Sequence, residues 1–203
     1  PRAETAMGEA ALVIDPAVDV ADLAAQIHQW LGESDIESPD RRRLLELARQ
    51  ALDARQGRQP ELRWGEHCLR VWNGWVVRVN EPGESTVFPD EVVVGEEVVG
   101  PWGHLSWEPI EGSPAFPVGM RLRCAASGEL ENLALLNRPQ KATKKWLQEL
   151  RIPPWWRRHL PVFYAENHPV WLLPLGPLSG ATAFSEQAAQ PGLRPVLRLS
   201  SSV

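Results

Sequence analysis

A chain of 203 residues, 43% of them hydrophobic, can bury the core of one large domain or two small ones, which excludes global disorder. Its formal net charge of -5 excludes a uniformly basic nucleic-acid binder, and no apolar run approaches the roughly 18 residues of a membrane helix or forms a signal peptide. Cys68 and Cys124 stand far apart without a CxxC, and the five histidines show no metal-ligand spacing. These features argue for buried thiols in a reducing cytosol, against a disulfide scaffold or zinc site, and for a cytoplasmic protein away from membranes.

Residues 1–18 read as a linker from an upstream domain, and the initial Pro1 suggests a piece of a longer chain. The spacing of Val20, Leu23, Ala24, Ile27, Trp30 and Leu31 predicts a helix capped by Asp19. A second helix is expected from Ser38-Pro39, with Ser as cap, Leu44, Leu45, Ala48, Ala51 and Leu52 inward, and Gly57 as terminator. Asn73-Gly74 between β-rich runs predicts a hairpin within His67–Val79. Residues 19–80 are therefore expected to form a helical domain with a hairpin. Residues 81–117, with six prolines, read as a Pro/Gly-rich connector with short strands.

A small mixed α/β domain is expected over 118–178, giving an α+β class overall. Met120–Cys124 alternates as a strand, and 138–151 reads as a helix. That helix would carry Trp146 inward and Lys141, Lys144, Lys145, Gln148 and Arg151 outward. Pro153 would stop it and Pro154 would open a short helix to Leu160. A second hairpin is centred on Asn167, and 179–203 reads as a loosely held tail.

Charge falls in blocks: -8 over 1–40, +5 over 41–78, -8 over 79–137, +6 over 138–159 and 0 thereafter. The two basic islands are the candidate nucleic-acid contacts, because phosphates gain charge-assisted hydrogen bonds and counterion release from Lys and Arg. Arg138, Lys141, Lys144, Lys145, Arg157 and Arg158 form the main set. Arg41, Arg42, Arg63 and Arg70 form a secondary one, with Arg78 beside the hairpin. The acidic blocks would repel RNA from other faces. The tryptophans are expected to build the scaffold rather than stack on bases, and His67 and Cys68 to serve the fold. No GxxxxGK[ST], GxGxxG, GxSxG, HExxH or SGGxDS occurs, so neither a nucleotide cradle nor a catalytic residue can be assigned. A stand-alone adaptor with Trp/Pro-rich surfaces and a hydrolase with a hidden carboxylate site remain as alternatives.

PQKATKKWLQELRIPPWWRRHLP, residues 139–161, resembles the C-terminal domain of tRNA(Ile)-lysidine synthetases: a Lys-Lys helix ending in Gln-Glu, then Ile-Pro-Pro-Trp, an Arg, and a Pro before a strand. VFYAENHPVWLLPLG and MRLRCAASGE fit the same pattern. More weakly, QWL at 29–31, the helix near 39–55 and ELRWGEHCLRVWNGWVVRV at 61–79 resemble the family's middle domain. The departures are Ser127-Gly128-Glu129 for the usual Gly-Gly-Glu turn, Gln29 for an Arg, and no counterpart of the N-terminal ATPase domain. The resemblance implies a ligase that adenylates the anticodon cytidine of tRNA(Ile) with ATP and Mg2+ and then attaches lysine. This chain would then be the part that grips the CAU-anticodon tRNA beside an upstream ATPase domain. It is expected to hold no cofactor and no catalytic residue itself, with homodimerisation left open.

Overall fold

A computed structural model describes residues 1–54, 58–79, 88–100, 103–110, 114–181 and 192–199. Among the described residues three helices and several antiparallel sheets make it an α+β protein, divided into two compact units, Pro1–Asn80 and Glu81–Val203.

The first unit runs β1 (Arg2–Glu4), β2 (Ala10–Val13), α1 (Val20–Gly32), α2 (Arg41–Asp53), β3 (Glu61–Trp64), β4 (His67–Trp72) and β5 (Trp75–Arg78). Its antiparallel sheet has the order β1-β2-β5-β4-β3. Residues 2–4 and 10–13 are thus paired strands, where the sequence suggests a linker. Val76 and Val77 on β5 are fully buried. A bare β5 edge would leave their backbone without ladder partners, and β2 covers it through Ala11↔Val77 and Leu12↔Val76.

Asp19 caps α1 by accepting from the Asp22 amide at 2.8 Å. Leu23, Ala24, Ile27, Trp30 and Leu31 are buried as the spacing predicts. Helix α2 starts two residues later than Ser38-Pro39 suggests. Asp40 is its cap, accepting from the Arg43 amide, because a carboxylate reaches the first-turn N–H groups there. Leu47 joins Leu44, Ala48 and Ala51 in the core, while Leu45 and Leu52 are half-buried. Gly57 lies outside the described residues. Asn73 (φ 53°) and Gly74 (φ 78°) both take the left-handed conformation that a two-residue hairpin turn demands.

The second unit continues with β6 (Glu91–Val93), β7 (Val98–Gly100), β8 (Gly103–Ile110), β9 (Arg121–Ala126), β10 (Asn132–Leu133), β11 (Lys141–Ala142), α3 (Thr143–Glu149), β12 (Pro161–Ala165), β13 (His168–Leu172), β14 (Gly176–Pro177) and β15 (Gly192–Leu199). One sheet has the order β14-β13-β12-β9-β6, a second β15-β8-β7, and β10 pairs with β11. The stretch read as a connector supplies β6, β7 and β8, and Val92, Val94 and Leu105 enter the core with Phe116, Leu122, Phe163 and Trp171. Within the tail, β15 pairs with β8 along its whole length, from Gly192↔Ile110 to Leu199↔Gly103. Short strands were expected in this stretch; what its Pro-rich composition did not indicate is that Val92, Val94 and Leu105 belong to the core.

Both cysteines are free and buried. Burial pushes the Cys124 thiol up to about 12, so it behaves as a packing group. Among the described residues no helix is long and apolar enough to cross a membrane.

Candidate nucleic-acid interface

Helix α3 is half the length that its apolar periodicity suggests. Lys141 and Ala142 pair with Leu133 and Asn132 as a strand, and Arg138 sits in a turn closed on the Leu135 carbonyl at 3.0 Å. The helix ends in a Schellman arrangement: the Arg151 amide donates to Gln148 O at 3.0 Å and the Ile152 amide to Leu147 O at 2.9 Å. Arg151 takes the left-handed position (φ 53°) usually given to glycine. Buried Ile152 and Leu147 supply the apolar contact of that motif.

The segment after Pro153-Pro154 folds as successive turns rather than the short helix suggested by Pro154. Trp156 N donates to Pro153 O at 3.0 Å and His159 N to Trp156 O at 2.9 Å. Arg157 Nε donates to the Ile152 carbonyl at 2.8 Å, which fixes the guanidinium. Burial pushes that guanidinium down from its ordinary value.

The turn Ser127–Glu129 latches onto this segment. Ser127 Oγ donates to Arg157 O at 2.9 Å and accepts from the Leu160 amide at 3.1 Å, and the Gly128 amide donates to Arg158 O at 3.1 Å. A Cβ at residue 128 would lie 3.2 Å from Arg158 O, so glycine permits the close approach.

Between the latch, the start of α3 and the Pro-Pro turn lies a half-open pocket of about 590 Å³. Its polar lining is Ser127, Thr143, Lys144, Arg157 and Arg158, with Gly128 beside them. Leu130, Leu147 and Pro154 form the apolar part, and no carboxylate is among the lining residues. Lys144, Lys145 and Arg158 have no ion pair or hydrogen bond from their side chains among the described residues.

The other two members of the main set are placed differently. Lys141 Nζ is ion-paired with both oxygens of Glu149 at 2.9 and 3.0 Å and lies 4.6 Å from the Trp146 ring centre. The Arg138 guanidinium lies 5.5 Å from the same ring. Trp146 is buried, as the apolar helix face predicts, and Trp156 is buried too, while Trp155 is half-buried. The structure therefore brings together Lys144, Arg157 and Arg158, leaves Lys145 exposed on α3 next to Lys144 in sequence, and sets Arg138 and Lys141 around an indole.

In the first unit Arg41 and Arg42 are exposed at the start of α2. Arg63 and Arg70 both ion-pair with Glu61. Burial pushes the Glu61 carboxyl up, but hydrogen bonds and charge from those two arginines more than offset it and hold it below its usual value. Arg78 is half-buried on β5.

Sequence reasoning missed Thr143 and saw Ser127-Gly128 only as a turn. Thr143 is the first residue of α3, and the helix has no side-chain cap. The Thr143 hydroxyl is buried without a partner among the described residues, as are Trp146 Nε1 and Trp156 Nε1.

The comparisons with known proteins agree with this division. Residues 20–77 match the TilS substrate binding domain and residues 120–194 the TilS substrate C-terminal domain. The tRNA(Ile)-lysidine synthase of Ralstonia nicotianae is 30% identical over 174 residues, covering 78% of this chain and 38% of that protein. The tRNA(Ile)-lysidine synthase of Haemophilus influenzae is 22% identical over 171 residues, covering 73% and 37%. The chain thus spans under two-fifths of the length of the curated relatives it matches. By these two domains, met in this order, the chain belongs to the tRNA(Ile)-lysidine synthase family.

Proposed function

We propose that this chain is the tRNA-recognition part of a cytoplasmic tRNA(Ile)-lysidine synthase, the ATP-dependent ligase that attaches lysine to the wobble cytidine of the CAU-anticodon tRNA(Ile). The observation that carries this reading is the group Lys144, Lys145, Arg157 and Arg158. It lies inside the segment that matches the C-terminal domain, and the pocket lined by Lys144, Arg157 and Arg158 has no carboxylate among its lining residues. Arginine held by Ile152 O presents a preset fork to a phosphate, and the flexible lysines add charge. The role is binding and orientation of the tRNA body. An ATPase domain of the same protein would perform adenylation and lysine transfer. Among the described residues no group of three His, Cys, Asp or Glu is placed to hold a metal ion.

The adaptor reading needs aromatic side chains at the surface. No tryptophan among the described residues is exposed, and the most exposed large apolar side chains are Val99 and Val118. The hydrolase reading asks for a cleft with strongly perturbed carboxylates, and no carboxylate is among the lining residues of this pocket.

Binding of tRNA(Ile) measured across a salt series tests the proposal. Each phosphate contact contributes roughly 0.7–0.9 to the slope of log affinity against log salt. The double variant Lys144→Glu, Lys145→Glu is expected to bind at least ~10-fold more weakly and to lower the slope by about 1.5. An unchanged affinity and slope would sink the assignment of this face.

A further inference from the structure

Hydrogen bonds tie residues 127 and 128 to the segment that carries two of the pocket's cations. The Ser127 amide donates to Leu160 O at 2.8 Å, its Oγ donates to Arg157 O at 2.9 Å, and the Leu160 amide donates to the same Oγ at 3.1 Å. The Gly128 amide donates to Arg158 O at 3.1 Å. Ser127 is 1% exposed, so these bonds are shielded from water, and an unmade one would leave a buried polar group unsatisfied. The hydroxyl is not needed to close its own turn, because the Leu130 amide closes that on the Ser127 carbonyl at 3.1 Å. Its two partners instead bracket Arg158 and His159, between Arg157 and Leu160. Arg157 is then held twice, by its carbonyl to Ser127 and by its Nε to Ile152 O at 2.8 Å. Binding a phosphate with a mobile cation costs the entropy of ordering it, and a cation fixed beforehand avoids part of that cost.

We propose that Ser127 is a positioning residue for RNA recognition: its hydroxyl fixes the main chain from Arg157 to Leu160, so that Arg157 and Arg158 line the pocket in place before RNA arrives. Ser127 acts through the two arginines, not by contact with RNA. The inference rests on the RNA-recognition reading above and deepens it, since affinity then depends on a neutral buried hydroxyl as well as on charge.

The test measures binding of fluorescein-labelled tRNA(Ile) to this chain by anisotropy, at low salt and well below the melting temperature, which is recorded for each variant. Ser127→Ala is expected to lower the melting temperature, because the Leu160 amide loses its acceptor, and to weaken binding about 3- to 10-fold. Gly192→Ala, outside the pocket lining, should lower the melting temperature of the same unit and leave affinity unchanged, which separates positioning from stability. In an Arg157→Gln, Arg158→Gln background the further effect of Ser127→Ala on affinity should fall below about 2-fold, since the groups it acts through are gone. Gly128→Ala tests the latch from its other residue: a Cβ there would lie 3.2 Å from Arg158 O, and a similar loss of affinity is expected. Unchanged affinity in both Ser127→Ala and Gly128→Ala, or an undiminished Ser127→Ala effect in the double-glutamine background, would overturn the positioning role and leave the recognition reading standing. A parent chain that binds no tRNA(Ile) at low salt would overturn both.

Discussion

Lys144 and Lys141 lie three residues apart and have different electrostatic environments. Lys144 faces a pocket without carboxylates, whereas Lys141 is held by both oxygens of Glu149 above the Trp146 ring. Neutralising Lys141 should therefore weaken RNA binding less than neutralising Lys144. Arg151 illustrates a local conflict. A residue with a Cβ in the left-handed region costs about 1 kcal/mol relative to glycine, partly offset by glycine's greater freedom when unfolded. Arg151→Gly is expected to stabilise the second unit by about 0.5 kcal/mol, read as a shift in denaturation midpoint. Glu61 gives a pH dependence. Its folded value lies below its unfolded one, so its ion pairs stabilise the first unit above the unfolded carboxylate range. That contribution is lost as pH falls through the folded value. Glu61→Gln is expected to flatten the acid limb of a stability profile below about pH 4.5; an unaltered limb would contradict the assignment.

At the level of elements, long local patterns were legible and short non-local ones were not. Helices α1 and α2, the Asn73-Gly74 hairpin and the strand beginning near Met120 follow from periodicity and turn chemistry over six or more residues. The seven-residue α3 was overestimated because Lys141 keeps helical spacing while its backbone pairs with Leu133. Strands β2, β6 and β15 have partners far along the chain, which no local window contains, and β1 is held through β2. The basic cluster was visible as composition, but the pocket was not, since its wall comes from residues 127–130, some thirty positions upstream of Arg158. Docking of β15 has its own test. A Cβ at residue 192 would lie 2.3 Å from Ala115 Cβ, so Gly192→Ala forces the strand or its neighbour to move. A loss of about 1–3 kcal/mol in the second unit is expected from thermal or chemical unfolding, with the first unit unaffected.

Over the whole molecule, alternating charge blocks coincide with two separately folded units, each with its own core. The register of β15 on β8 has a temporal consequence. Residues 192–199 pair with 103–110, roughly ninety positions earlier, whereas β3, β4 and β5 pair between sequence neighbours. Local contacts close quickly and distant ones slowly. During synthesis the first unit can close as soon as β5 is out. Strand β8, by contrast, must wait for most of the second unit to be translated, with β7 on one side and its other edge unpaired. A ribosome pausing within that interval would hold an open sheet edge in reach of neighbouring chains. Synthesis rate over residues 110–199 should therefore influence the yield of folded protein more than the rate over the first eighty.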